Sequence, residues 1–239
     1  MKKILEAKDN KKLSKYKILN LYACLGGNRY KWDEVTDVEV TAVELDPEAA
    51  RLYQERFPND KVIVADAHQY LLDHYKEFNF IWSSPPCPTH SRTNNFLNSY
   101  GIIRYPNMDL YQEIIFLKHF FKGKYCVENV ISYYEPLIPA YKRHRHLYWT
   151  NFNLPNILSN RKSVNIESTK NARNKGIMAG KNEVKRWCEF HDYDFYKYKG
   201  NQRLDKISRN LVDYEAGKTI LETALNIQRA NNTEQLTIL

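Results

Sequence analysis

Cysteine is scarce in this 239-residue chain, and the four present, Cys24, Cys87, Cys126 and Cys188, lie far apart. With no CxxC pair and no Cys/His cluster, they argue against a structural zinc centre and a disulfide framework, and they fit a reducing cytoplasm. No apolar run approaches the roughly 20 residues of a membrane span. The opening MKKILEAKDNKK also lacks the hydrophobic core of a secretory signal. The expectation is therefore a cytoplasmic protein with no membrane partner and no metal. There is no internal repeat and no low-complexity tract.

What the chain does have is charge, and it is unevenly placed. The formal net charge is +8. Residues 160–209 hold thirteen Lys or Arg against six Asp or Glu, so one fifth of the chain supplies nearly all the excess. Such a segment suits a polyanion, because each cation that meets a phosphate releases condensed counterions. A solvated basic face has the same composition, and charge alone does not separate the two.

The apolar pattern alternates between strand and helix. YKILNLYACLGG reads as a strand, Ile18 to Ala23, entering a glycine turn, and VEVTAVELD reads as a second strand, Val38 to Leu45. DPEAARLYQERFP carries helix signals: Asp46 as N-cap, Pro47 at the first position, and Ala49, Leu52, Tyr53 and Phe57 along one face. KVIVAD, FNFIWSSPP and KYCVENV are three further strands. MDLYQEIIFLKHFF is helical, with Leu110, Ile114, Leu117, Phe120 and Phe121 at helical spacing. This alternation predicts an α/β fold with a mostly parallel sheet covered by helices on both faces. After Asn151 the pattern dissolves, and it returns in RNLVDYEAGKTILETALNIQ through Leu211, Ala216, Ile220, Leu221 and Leu225. The expected organisation is a catalytic domain over 1–150, a small irregular insert over 151–205, and a C-terminal helix within 206–239 that returns to the first domain.

In parallel sheets of this kind the ligand sits beyond the C-terminal strand ends. The polar residues that fall there are Glu44, Asp66, the Pro-Pro-Cys of FIWSSPPCPTHSR and Glu128–Asn129. Gly26 and Gly27 follow the first strand, where they permit a sharp turn and close ligand approach, but ACLGGN lacks GxGxxG spacing. Glu44, eighteen residues beyond Gly26 at a strand end, can bind ribose hydroxyls. Asp66 can accept from an adenine amino group. Each is equally an ordinary helix cap when taken alone. Cys87 sits in a polar turn where two prolines fix the backbone, so its thiol is a candidate nucleophile. The other three cysteines read as small buried hydrophobes. Glu128 ends an apolar strand and could stay protonated to hydrogen-bond a ring nitrogen. Arg143 and Arg145, in KRHRHLYW, alternate and on a strand would share one face.

The order NLYACLGG, VELD, AD, SPPC, ENV, RHR, a basic insert and RNLV resembles the DNA (cytosine-5) methyltransferases over about residues 17–150 and 206–226. The resemblance implies a Rossmann-like S-adenosylmethionine-dependent methyltransferase fold, with S-adenosyl-L-homocysteine as product. It implies that Tyr22, Leu25, Gly26, Gly27, Pro86 and Asn210 line the cofactor pocket, with Glu44 on the ribose and Asp66 on the adenine. It implies Cys87 as nucleophile, Glu128 as base-binding acid, and Arg143 and Arg145 as the arginines of the RxR motif.

The implied chemistry begins by flipping a cytosine out of duplex DNA. Cys87 adds to C6, Glu128 hydrogen-bonds N3, the activated C5 takes the methyl group, and loss of the C5 proton expels Cys87. THSRTNNFLNSYGIIRYP would be the mobile loop over the site, with Ser91 and Arg92 facing phosphates. The insert takes the place of the family's recognition region, with Arg161, Arg173, Lys175, Lys181, Lys185 and Arg186 as candidate phosphate contacts. A bacterial or phage-encoded enzyme is implied, with double-stranded DNA as partner and a cognate restriction endonuclease as a second candidate partner. The sequence also departs from the family pattern: Asn20, Cys24, Pro88, His90, Tyr141, Arg209 and Asp213 replace its usual residues. Two other readings are an RNA (tRNA) cytosine-5 methyltransferase and a non-catalytic nucleic-acid-binding relative.

Overall fold

The computed structural model describes residues 15–162, 164 and 180–227, with the side chains of Gly180 and Lys181 outside that description. Five strands follow the apolar runs: β1 Tyr16–Leu21, β2 Val38–Glu44, β3 Lys61–Val64, β4 Phe80–Ser83 and β5 Lys124–Val130. Two more, β6 Tyr141–Arg143 and β7 His146–Thr150, form a hairpin. The sheet order is β3-β2-β1-β4-β5-β7-β6. β7 runs antiparallel to β5, whereas the pairs among β1 to β5 are parallel. This is a mixed α/β, Rossmann-like sheet, as the alternation predicts.

Strand order reverses between β1 and β4, which pair from Ile18–Phe80 to Leu21–Ser83. At such a switch point the two chains leave the sheet in diverging directions and open a crevice. Tyr22 leaves β1 there, and Ser84, the first residue of the turn that holds Cys87, leaves β4 beside it.

Alternation along β1 supplies both layers of the core. Ile18 faces Val40, Phe80, Trp82 and Trp32, under Ala216, Ile220 and Leu221. Leu19 and Leu21 face Val43, Ile81 and Val127, under Leu71, Leu110, Ile114 and Leu117. The helices are α1 Pro47–Arg56, α2 Ala67–His74, α3 Thr93–Ser99, α4 Asp109–Phe120, α5 Gly180–His191, α6 Leu204–Arg209 and α7 Tyr214–Ala224, of which α2, α4 and α7 supply these core residues. Asp46 caps α1 by accepting from the Glu48 and Ala49 amides, and Pro47 opens the helix.

Several expectations are corrected. Phe120 is exposed, and Phe121 fills the core in its place. Of the C-terminal periodic stretch, α7 covers Tyr214–Ala224 with Asp213 as its cap, so Leu211 and Leu225 lie outside the helix, and the short α6 ends where the stretch begins. The insert contains a helix, α5, whose buried positions include Glu183 and His191 beside Val184 and Trp187. Polar residues on its inner face hid the helical stripe. Among the described residues no helix is long and apolar enough to cross a membrane.

Candidate active site

The crevice at the switch point is a cavity of about 690 Å³, within the range of small-molecule sites. Its walls come from the ends of β1 to β5, from the β6–β7 hairpin and from the segment around α6. Of the sequence candidates, Tyr22, Glu44, Asp66, Pro86, Cys87, Glu128 and Asn210 line it.

One end is acidic. The Glu44 carboxylate accepts the Cys24 amide at 2.8 Å and the Asp46 amide at 2.9 Å. Each oxygen has a second lone pair, so two positions remain for hydroxyl donors. Burial, more than any neighbour, raises the Glu44 pKa, and the backbone amides oppose it. Asp66 caps α2 through one oxygen, accepting the Gln69 amide at 2.8 Å, which leaves its second oxygen for a ligand. Helix cap and ligand acceptor are therefore compatible roles here. This donor and acceptor set fits an adenosyl group, with Glu44 at a ribose and Asp66 at an amino group.

The other end carries the thiol. His90 and Ser91 amides donate to the Cys87 carbonyl at 3.0 and 3.1 Å, folding the turn after the prolines. Asn129 Nδ2 donates to the Pro85 carbonyl at 2.9 Å, which ties this turn to β5. The neighbouring Glu128 is buried on β5, in register with Tyr148 of β7. Burial, then the Glu128 carboxylate, pushes the Cys87 thiol up to about 11, while Lys206 acts in the opposite direction. The thiol is thus protonated near neutrality, and attack requires that proton to leave.

Residues given no site role by the sequence also line the cavity. His146 lines the cavity with Nε2 3.6 Å from Glu128 Oε1. Burial lowers the His146 pKa, against the pull of Glu128, so its imidazole is neutral near pH 7. It belongs to the RHRH string, in which no local feature sets it apart from the two arginines. Cys24 also lines the cavity, at φ +48°, and so is not merely packing filler. His90 is buried against the same cavity, with Nδ1 2.5 Å from the Tyr134 hydroxyl. His68 lines the acidic end, and Lys206 and Arg209 line the α6 wall.

Other candidates lie elsewhere. Leu25, Gly26 and Gly27 do not line the cavity. Leu25 is fully buried in a cluster with Leu52, Trp187, Phe195 and Ile207. Gly26 has φ +69°, and a Cβ there would lie 2.3 Å from the Phe57 ring; one on Gly27 would lie 2.5 Å from the Val212 carbonyl. The absence of a side chain at both positions therefore lets the turn pack closely against these neighbours. Arg143 and Arg145 do not share a strand face: Arg143 ends β6, His144 at φ +49° turns the chain, and Arg145 precedes β7. Arg143 donates to the Leu154 and Pro155 carbonyls, and Arg145 lies over the Trp187 ring. Both line a second, smaller hollow behind the hairpin.

The charged candidates of the loop and insert also divide. Arg161 is a structural tie, paired with Asp213 at 2.7 Å and stacked between Phe190 and Tyr214. Lys185 is exposed on α5, and Arg186 is half-buried beside it. Arg173, Lys175 and the Lys181 side chain lie outside the described residues. Ser91 forms an isolated bridge with Ser132, and its hydroxyl accepts from Thr93; Arg92 is exposed at the start of α3.

Solved structures similar to this chain are remote in sequence and match only part of it. A hypothetical protein of Thermus thermophilus is similar at 17% identity and TM-score 0.35, over 57% of this chain and 74% of that one. The Entamoeba histolytica methyltransferase EhMeth is similar at 14% and 0.33, over 49% of this chain and 38% of its own. A putative DNA modification methyltransferase of an Escherichia coli prophage is similar at 17% and 0.35, over 50% and 33%. This chain thus spans well under half the length of the latter two. No curated protein matches the sequence. Residues 16–102, from β1 through the Pro-Pro-Cys turn, match the family described as C-5 cytosine-specific DNA methylase. Over that stretch, which is less than half of the chain, the protein is similar to the C-5 cytosine-specific DNA methylases.

Proposed function

We propose that the protein methylates C5 of a cytosine flipped out of double-stranded DNA, with Cys87 as the covalent nucleophile. One observation carries this reading. A single cavity has an adenosyl-compatible acidic end at Glu44 and Asp66 and a thiol–carboxyl end at Cys87 and Glu128. S-adenosylmethionine, held by Glu44, Asp66, Tyr22 and Asn210, supplies an electrophilic methyl group when bound.

The chain's own residues do the rest. C5 of a cytosine is a poor nucleophile until a second group adds at C6. Cys87 supplies that group, and the electron pair it pushes into the ring collects toward C5 and N3. Glu128 holds N3 by hydrogen bond. Because the thiol is protonated and lies beside a carboxylate, moving one proton from Cys87 toward Glu128 creates both forms the reaction needs, a thiolate and a carboxylic acid. Neutral His146 stands beside this carboxyl, with Nε2 3.6 Å from Glu128 Oε1. Loss of the C5 proton then expels Cys87 and restores the ring.

The basic segment over 160–209 supports a polyanionic substrate, with Lys185 of that segment and Arg92 of the loop after Cys87 as exposed phosphate contacts. Cytoplasmic location and pairing with a restriction endonuclease are parts of the same proposal. The test is a duplex carrying 5-fluorocytosine, incubated with S-adenosylmethionine. Fluorine at C5 blocks the last elimination, so a denaturation-resistant protein–DNA complex through Cys87 is expected. Absence of that complex on an otherwise good substrate sequence would refute the mechanism.

A further inference from the structure

Beside the acidic end of the cavity lies a buried carboxylate that the proposed reaction does not use. Glu113, on α4, is fully buried. Three side chains from three other elements converge on it. Tyr22 donates to Oε1 at 2.6 Å, Ser83 donates to Oε2 at 2.5 Å, and His68 Nδ1 lies 3.0 Å from Oε1. A buried carboxylate is costly unless it is hydrogen-bonded, and these three side chains supply its partners. Tyr22 and His68 also line the cavity, next to Asp66. An ionised carboxylate can only accept, so the His68 nitrogen facing it carries the proton. The ring nitrogen left over for the cavity is Nε2.

We propose that His68 is a cofactor-binding residue, held by Glu113 so that its imidazolium donates from Nε2–H to a ring nitrogen of the bound purine. This deepens the reading above and rests on it: the cavity must take an adenosyl group. Glu113 is the positioning residue. It fixes which nitrogen faces the ligand, and its charge favours the protonated ring.

The electrostatic surroundings agree. The hydrogen bond with Glu113 raises the His68 pKa most, burial opposes it, and Asp109 of α4 and Asp66 ahead of α2 act in the same direction as Glu113. The Tyr22 hydroxyl faces the same carboxylate as a neutral donor, its own pKa raised chiefly by burial. The sign is distinctive. Protonating Glu44 removes an acceptor and weakens adenosyl binding, whereas protonating His68 creates a donor and strengthens it.

The test measures binding of S-adenosylhomocysteine and of adenosine by calorimetry between pH 9 and pH 6, using the full chain. Both probes share the purine, and neither supports turnover. The wild type is expected to bind both about tenfold more tightly at the lower pH, the range of one hydrogen bond from a charged donor. His68→Gln keeps a permanent donor and should bind well with a flat profile. His68→Phe should be about tenfold weaker than wild type at pH 6, also flat. Glu113→Gln should move the wild-type transition to lower pH, a displacement that loss of packing alone does not produce. A flat wild-type profile, or a wild-type profile retained in His68→Phe, would overturn the assignment of His68 while leaving the methyltransferase reading intact. No binding of either probe at any pH would refute both.

Discussion

The strongest consequence of the site geometry concerns the reactivity of Cys87 before any DNA is bound. Its thiol is pushed up to about 11, mainly by burial and next by Glu128, against about 8.5 for an ordinary cysteine. At pH 8 the thiolate fraction is then about 0.1%, where an ordinary thiol has about a quarter, a ratio of roughly 200. A more basic thiolate is intrinsically more nucleophilic, which offsets roughly tenfold of that loss over about 2.5 units. Cys87 should therefore alkylate with iodoacetamide about twentyfold more slowly than free cysteine at pH 8, and its rate should climb steadily up to about pH 11. Glu128→Gln removes the neighbouring negative charge and should speed alkylation of the free enzyme, although the same change should abolish methyl transfer. Mass spectrometry of the Cys87 peptide reads each rate separately from the other three cysteines. Labelling as fast as free cysteine at pH 8, or no acceleration in Glu128→Gln, would refute the argument that burial and Glu128 together keep this sulfur protonated.

Other predictions follow from the packing. Arg29 is buried and pairs with Asp60 at 2.9 Å, itself buried, so Arg29→Ala should lower unfolding free energy in urea by about 3–5 kcal/mol. Gly217→Ala gains at most about 1 kcal/mol of helix propensity. Its new Cβ would lie 2.2 Å from the Asn28 carbonyl, and such overpacking costs about 1–3 kcal/mol, so a net fall in thermal stability is expected. Arg161→Ala should lower the melting temperature, because Arg161 ties Asp213 to the insert. Lys185→Ala should leave the melting temperature unchanged and reduce the salt dependence of DNA binding by about one counterion; the reverse pattern would exchange the two roles.

Much of the fold was legible because it is written locally. β5 matches KYCVENV residue for residue, and α1 begins where Asp46 and Pro47 announce it. The helix in the insert was not legible, since Glu183 and His191 occupy its inner face. Glu183 pairs there with Arg209 of α6, a partner that only the fold supplies. The arginines of RHR were misplaced for a related reason. Alternation predicts a shared face on a continuous strand, but a left-handed residue at His144 ends β6 between them. That a side chain on Gly26 or Gly27 would meet Phe57 or Val212 is likewise nothing that the glycine pair itself records.

The sequence by itself determined the parallel α/β sheet, the strand ends and the presence there of Cys87, Glu44, Asp66 and Glu128. Periodicity and turn chemistry act within a few residues, so each of these features is encoded where it occurs. The tertiary structure alone decided that His146 stands beside Glu128, that His68, Tyr22 and Ser83 converge on a buried Glu113, and that Arg161 braces the insert. Those contacts arise where β1 and β4 diverge and where helices dock from opposite sides, and the spacing of residues along the chain carries no record of such meetings.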